Sequence, residues 1–332
     1  MVNDTSQVIP AGHANSRILR GCAEAYLLQA RRIWSHLPAS LRRLPPGRMY
    51  GRHLHSLIRS QAERKQYFGT FFLRNRAELE LMRRLLKKTA HGSNLNLSVL
   101  ACSKGAEVYS IVWTIRSETP DLRLSVHAVD ISGEILEFAK RGVYSLKSPG
   151  GLTSLNAESI TEKADVTWNT CRDQSAPILE RMTAEEINAM FDVEGNEAKI
   201  KSWLKEGLTW ICGDAGDPEL IHALDGQDMV VANRFLCHME PTDAERCLRN
   251  IARLVKPGGY LFVSGIDLDV RTRVAQDLGW KPVIELIREV HEGDASLRRG
   301  WPLEYWGLEP FNDRRPDWRI RYASAFQVGD GI

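Results

Sequence analysis

Polar side chains able to grip a ligand recur in this sequence at one kind of place, the residue or two just after a short apolar run. Leu124 to Val129 ends in Asp130, Leu208 to Cys212 runs into Gly213-Asp214-Ala215, and Met229 to Ala232 runs into Asn233-Arg234. Read as strands, these runs put the polar residues at strand carboxyl ends, the edge where open α/β sheets bind ligands. The two oxygens of an ionised Asp130 suit the vicinal diol of a ribose, and its distance beyond the preceding turn fits the acidic residue of nucleotide-binding folds.

That preceding turn lies in Leu95 to Ser110, LNLSVLACSKGAEVYS. The alternating apolar run Leu95, Leu97, Val99 breaks at Ser103-Lys104-Gly105 and resumes with helical spacing at Val108, Ile111, Val112 and Ile115, which predicts a strand, a tight turn and a helix. Such a turn brings backbone N–H groups and the positive end of a helix up to an anion or nucleotide, and a small residue lets the ligand approach the backbone. With one glycine where the dinucleotide fingerprint has three, the signal rests on the acidic strand ends that follow it.

These motifs, quoted in order as ACSKGAEVYS, HAVDIS, GDA, VVANRFLCHM and LVKPGGYLFVSG, resemble the CheR family of bacterial chemotaxis methyltransferases over about Thr70 to Gly265. The family uses S-adenosylmethionine to esterify receptor glutamates. The resemblance implies a class I methyltransferase fold, a Rossmann-like doubly wound α/β sheet, with S-adenosylmethionine as cofactor and S-adenosylhomocysteine as product. Thr70-Phe71-Phe72-Leu73-Arg74 resembles the family's T-x-F-F-R, so Thr70 and Arg74 are expected in the cofactor site and Arg74 in catalysis. By the same matching Glu107 contacts the cofactor beside Cys102 and Gly105, Asp130 with Ile131 takes the ribose, and Asp214-Ala215 falls where the family has Asn-Leu beside the adenine. Asn233-Arg234 falls where the family has Arg-Asn, and Gly142-Val143-Tyr144 is similar to its G-x-Y. Departures fall within and beside the same motifs. Lys104 and Ala106 replace a Thr and a Glu, Phe68 replaces an Asn, and Cys237-His238-Met239 stands where the family reads I-Y-F.

The rest of the chain must position these residues. Its 332 residues are ample for a core, and 43% apolar with 26% charged content is ordinary for a globular protein. No run approaches the roughly 18 apolar residues that span a bilayer, and the polar start MVNDTSQ predicts no signal peptide. Six cysteines without a C-x-x-C pair predict reduced thiols, no metal site and a cytoplasmic location. Residues 1–68 form a basic helical domain on this reading, with helices expected over Arg17 to Leu37 and His53 to Tyr67 around a Pro-punctuated break, LPASLRRLPPGR. Its basic face is a solvated surface, a dock for an acidic protein or a contact for the anionic inner membrane surface; no nucleic-acid module is present.

Residues 69–332 form the methyltransferase domain, with a helix over Ala77 to Lys88, another over Gly133 to Arg141 stopped by Gly142, and an insertion at about 146–206. The insertion carries a capping box at Thr183-Ala184-Glu185-Glu186 and no strands legible from its own pattern, while the CheR resemblance implies here a small antiparallel subdomain that helps choose the protein substrate. Further helices are expected at Pro241 to Val255, Val270 to Leu278 and Pro282 to His291, with a Lys256-Pro257-Gly258-Gly259 turn into the strand Tyr260 to Val263 and a final strand over Trp318 to Val328. An aromatic-rich stretch at about 280–316, with Trp280, Trp301, Tyr305, Trp306 and Phe311, is expected to cover the ligand edge. Tyr109, Trp113 and Phe138 read as core.

Methyl transfer from a sulfonium needs a nucleophile held in line and little covalent help. A carboxylate, with a pKa of about 4.3, is already ionised at neutral pH and needs no base. Arg74 can fork a carboxylate, either the acceptor's or the cofactor's own. His238 is placed to deprotonate a phenol or alcohol, or it packs the next helix. The leading expectation is a carboxyl O-methyltransferase for a small or lipid-like acid, for example a 3-hydroxy fatty acid converted to a methyl ester signal of quorum sensing. The alternatives are a protein-glutamate methyltransferase of the chemotaxis type and a non-catalytic binding module.

Overall fold

The computed structural model describes residues 25–61 except 28, 31 and 35, then 69–89, 94–146, 178–224, 226–294 and 307–329. Seven strands build the main sheet: β1 (Asn94–Leu100), β2 (Arg123–Asp130), β6 (Leu208–Cys212), β7 (Gln227–Asn233), β8 (Val255–Ser264), β9 (Lys281–Pro282) and β10 (Ala325–Gln327). Their spatial order is β6-β2-β1-β7-β8-β10-β9. The first five are parallel, and β10 runs antiparallel between β8 and β9. The chain winds outward from β1 through β2 to β6, then returns to β7 on the other side of β1. The reversal opens a crevice beyond the carboxyl ends of β1 and β7, the place where a doubly wound sheet takes a ligand.

Side-chain alternation divides the interior into two cores. Leu95, Leu97, Val99, Met229, Val231 and Phe262 face one helix layer. It contains α3 (Arg76–Thr89), α4 (Ala106–Glu118) and α5 (Gly133–Arg141). Leu100, Val129, Val230, Ala232, Leu261 and Val263 face the other, formed by α7 (Pro218–Leu224), α8 (Pro241–Ala252) and α9 (Leu268–Asp277). Burial on both faces is what the apolar runs of a parallel sheet demand. α5 begins and ends as its sequence predicts, with Ser132 Oγ accepting from the Ile135 amide and Gly142 left-handed at φ 62°.

Several expectations are corrected. The stretch expected as a Pro-punctuated break is helical: α1 (Ala39–Arg43) is followed at once by α2 (Pro45–Gln61), because a proline in the first turn loses no intrahelical bond. Gly47 lets the two helices cross closely, since a Cβ there would lie 2.4 Å from the Leu41 carbonyl oxygen. Residues 62–68, with Phe68 and the end of the helix expected to Tyr67, lie outside the described residues, as does the start of the helix expected from Arg17. The Lys256-Pro257-Gly258-Gly259 turn is taken up inside β8 as a bulge, with Gln227 opposite Val255 and Met229 opposite Tyr260. The helix expected over Pro282 to His291 is shorter, α10 (Ile287–Glu292), because Lys281–Pro282 pairs with β10 as an edge strand.

At the C-terminal side the expected strand over Trp318 to Val328 is α11 (Trp318–Tyr322) followed by the short β10. Trp318 and Tyr322, four residues apart, share a helical face against Phe311, whose ring lies 4.7 Å from that of Tyr322. Trp280 packs on Phe326 at 5.4 Å, so Trp280 and Phe311 belong to the core and do not line a ligand edge. Trp301, Tyr305 and Trp306 lie outside the described residues.

The insertion holds strands that its residue pattern did not disclose, in a small antiparallel sheet of the kind the resemblance implies. α6 (Ala184–Met190), with the expected capping box at Thr183 and Glu186, leads into a hairpin of β4 (Phe191–Glu194) and β5 (Glu197–Ile200). β5 pairs in turn with β3 (Val143–Ser145), giving a second, antiparallel sheet in the order β3-β5-β4. Phe72, Tyr144, Phe191 and Phe138 bind this small sheet to the main domain through edge-to-face contacts, 5.1 Å for Phe72 with Tyr144 and 5.7 Å for Phe138 with Tyr144. Residues 147–177 of the insertion lie outside the described residues, and among the described residues no helix is long and apolar enough to cross a membrane.

The glycine of the β1 turn works differently from the expectation that it clears space for a ligand. Gly105 is left-handed, φ 81°, and a Cβ on it would lie 3.1 to 3.2 Å from Ala139, Trp210 and Tyr109, all in the core. Gly105→Ala is therefore expected to destabilise the fold by about 2 kcal/mol, from left-handed strain plus overpacking, read as a lower urea midpoint at unchanged slope.

Candidate active site

Between β1 and α4 the chain passes through three left-handed residues, Ala101, Ser103 and Gly105, which curl it toward the end of β2. Asp130 fixes that curl. Its Oδ2 accepts from the Ser103 amide at 2.9 Å and its Oδ1 from the Ser132 amide at 3.1 Å, so each carboxylate oxygen keeps further acceptor capacity. Burial raises the pKa of Asp130, and the backbone donors oppose that rise. Cys102 is buried, and burial raises its thiol pKa well above the ordinary range, so it packs beneath the loop as a neutral group. Ile131 follows Asp130 half-buried, and its carbonyl faces the Cys212 thiol.

Asn233, at the end of β7, brings two carboxyl groups together. Its Nδ2 donates to Glu107 Oε1 at 2.9 Å and to Glu78 Oε1 at 2.8 Å, while its Oδ1 accepts from Ser264 Oγ at 2.6 Å. With every polar atom engaged, the amide has one orientation. Burial, then the neighbouring Glu107, push Glu78 up to about 7; Arg234 and the Asn233 bond hold it from rising further. Burial raises Glu107 as well, opposed by Asn233, Arg234 and Arg74. Glu78 Oε2 is buried with no hydrogen-bond partner.

Beside this pair stands a cluster of three guanidiniums on one carboxylate. Asp294, 4% exposed, accepts from Arg74 Nε at 2.7 Å and from Arg181 at 3.0 Å, and is also bonded by Arg234. Arg181 also donates to the Arg74 carbonyl at 3.0 Å and stacks over Phe71 at 4.2 Å. Arg234 is left-handed, φ 64°, a conformation that aims its side chain back across the sheet edge. Gly265 makes room for it, since a Cβ there would sit 2.6 Å from the Arg234 Cα. The Arg74 segment is anchored by the Leu73 amide, which donates to Ser110 Oγ on α4 at 2.9 Å.

The remaining candidates lie at the rim. Asp214 holds its own turn, accepting from the Gly216 amide at 2.8 Å, and Ala215 is buried with its carbonyl accepting from Asn250. Thr70 is half-buried at the start of the Arg74 segment. His238 ends a short 3-10 turn, Leu236–His238, and burial lowers its pKa to about 4, so at neutral pH it is an uncharged imidazole. The N-terminal helices cover this turn: His55 of α2 is buried and donates through Nε2 to the Cys237 carbonyl at 3.3 Å.

Glu78, Arg181, Asp294 and Ser110 were not singled out in the sequence. Glu78 had a signal. It falls on the apolar face that Leu81, Met82 and Leu85 define on α3, and an acidic residue at the centre of such a face has to be explained. Arg181 and Asp294 had none, because the members of the cluster they join, Arg74, Arg181, Arg234 and Asp294, are bonded across 60 or more positions.

Residues 69–200 match the model of the CheR methyltransferase SAM-binding domain, and residues 174–263 match that of a methyltransferase domain. The chain carries an S-adenosylmethionine-dependent methyltransferase domain. No curated protein matches it. Among solved structures this methyltransferase chain is similar to magnesium protoporphyrin IX methyltransferase from Synechocystis PCC 6803, at 13% identity over 62% of this chain and 69% of that one, TM-score 0.33. The amino pentose methyltransferase CalS10 from Micromonospora echinaspora aligns at 11% over 56% and 48%, TM-score 0.30. The [4+2]-cyclase SpnF aligns at 13% over 77% and 83%, TM-score 0.35. These likenesses are loose, and the class I methyltransferase fold rests instead on the strand order and the two family models.

The residues present fit S-adenosylmethionine as cofactor. An acidic strand end with open lone pairs suits the ribose, half-buried guanidiniums suit the methionyl carboxylate, and acidic groups suit the ammonium. The cofactor supplies an electrophilic methyl group.

Two outcomes are expected. Removing the charge of Asp294 leaves three guanidiniums without their counter-ion, so Asp294→Asn is expected to cost about 3 kcal/mol, seen as a lower urea midpoint. Glu78 carries a folded pKa of about 7 against an ordinary 4.5, so its contribution to stability is fully present below pH 4.5 and is lost as pH rises through 7. The ligand-free protein should be less stable at pH 8 than at pH 5.5, by roughly 2 kcal/mol, with a smaller fall in Glu78→Gln.

Proposed function

We propose that this protein is a carboxyl O-methyltransferase acting on a small or lipid-like carboxylic acid. The observation that carries the reading is the gathering of Arg74, Arg181 and Arg234 around a single buried carboxylate. Three cations against one anion leave guanidinium donors for a second carboxylate, and a planar fork fixes that carboxylate in orientation as well as place. A nucleophile ionised on arrival agrees with the state of His238, which at a pKa of about 4 is a weak base for a phenol or alcohol.

On this reading Arg74 and Arg234 orient carboxylates at the crevice, Asn233 and Asp130 fix the walls, and the buried surroundings exclude water. Charge neutralisation between an attacking carboxylate and a sulfonium is favoured in such a dry site, where fixed donors need no reorganisation. α2, lying over the Cys237 carbonyl, encloses the acceptor side, which supports a small acid over a receptor helix. A hydroxy fatty acid whose methyl ester serves as a diffusible signal is one member of that class.

A second reading, a protein-glutamate methyltransferase of the chemotaxis type, has its own support in the β3-β5-β4 sheet and in the match over residues 69–200. The basic N-terminal face would then meet an acidic protein; on the first reading it would meet an anionic membrane surface.

Methyl-labelled S-adenosylmethionine, incubated with the protein and a lysate from cells lacking the gene, separates the two. The expected result is label in the organic extract that mild base releases as methanol, reduced about a hundredfold by Arg74→Lys. Base-labile label confined to precipitated protein would establish the second reading, and base-stable label would exclude an ester altogether.

A further inference from the structure

The carboxyl pair on Asn233 contains one member, Glu78, whose chemistry the reading above leaves unused. Glu78 is 4% exposed, and its Oε2 is buried without a partner. Leaving a carboxyl oxygen buried and unpaired is costly, and a folded chain retains such a group when something else completes it. The residue is held in place, not merely trapped. Asn75 Oδ1 caps α3 by accepting from the Glu78 amide at 3.2 Å, Asn75 Nδ2 donates to the Val290 carbonyl at 3.0 Å, and Asn233 grips Oε1.

Glu78 and Glu107 therefore present two carboxyl groups on the two hydrogens of one amide, at the carboxyl end of β7 and beside the turn that follows β1. The methionyl end of the cofactor carries an ammonium and a carboxylate on one carbon. Arg74 and Arg234 lie next to the acidic pair, so opposite charges stand side by side as that end requires.

We infer that Glu78 is a cofactor-binding residue that, together with Glu107, receives the α-ammonium of S-adenosylmethionine through its unpaired Oε2. The inference rests on the cofactor assignment and is independent of the acceptor. The ammonium supplies both the missing donor and the charge that lets the two carboxylates ionise together. The charged and titratable groups facing Glu78 are Glu107 from α4, Arg234 after β7 and Asp294 after α10, with Arg74 facing Glu107. In the ligand-free protein Glu78 holds a proton below neutrality, so binding the ammonium releases it. Affinity for the cofactor end should rise as pH rises from 6 to 7.5, below the range where an α-amino group loses its own proton.

The test compares two nucleosides by titration calorimetry. S-adenosylhomocysteine carries the amino-acid end, and methylthioadenosine lacks it. The full-length protein is expected to bind S-adenosylhomocysteine more tightly at pH 7.5 than at 6 and, in buffers of different ionisation enthalpy, to release protons on binding. Methylthioadenosine should show neither effect. Glu78→Gln should weaken S-adenosylhomocysteine roughly 10- to 100-fold at pH 7.5, flatten its pH slope and leave methylthioadenosine unchanged. The inference is overturned if wild-type affinity for S-adenosylhomocysteine is flat with pH, if Glu78→Gln leaves it intact while slowing turnover, or if the variant weakens both nucleosides alike. A wild-type protein that binds neither nucleoside overturns the cofactor assignment itself.

Discussion

Asp294 bonds to Arg74, Arg181 and Arg234, and each guanidinium comes from a different part of the chain. Arg74 precedes α3, Arg181 precedes α6, and Arg234 follows β7. Three cations drawn into a half-buried space repel one another, and burial lowers the pKa of Arg234 further. One carboxylate makes the arrangement possible. Around it the small sheet, the Arg74 segment and the crevice of the main sheet meet.

Next to this positive cluster lies its opposite, the acidic pair on Asn233. The two do not collapse into ordinary ion pairs, because Asn233, itself held by the Ser264 hydroxyl, holds the carboxyls while Asp294 holds the arginines. Charge of both signs is kept apart by neutral or single-ion partners, at a cost in stability that a ligand carrying both signs can offset. Sites of this kind are expected to be where folding stability and function conflict.

Much of the main sheet was legible in the sequence because buried parallel strands are continuous apolar runs that end in polar residues. Asp130 and Asn233 were found on that ground alone. The helix stop at Gly142 and the capping box at Thr183 were legible too, since local chemistry determines them. What escaped notice depends on distant contacts. In β4 Phe191 faces in and the next three residues face out, so no period announces it, and β5 alternates over only four residues, Glu197 to Ile200. Trp318 to Tyr322 fits either a strand or one helical turn, and packing on Phe311 decides for the helix. The single glycine of the β1 turn was legible as a turn residue, yet what it packs against comes from α5 and β6.

The Tyr144 hydroxyl, on the small sheet, donates to the Lys104 carbonyl at 2.7 Å, in the loop that follows β1. That bond ties the second sheet to the glycine turn of the first across forty residues of sequence. Displacing Tyr144 therefore displaces the loop. By reciprocity, ordering the loop stiffens the small sheet to the same energetic extent.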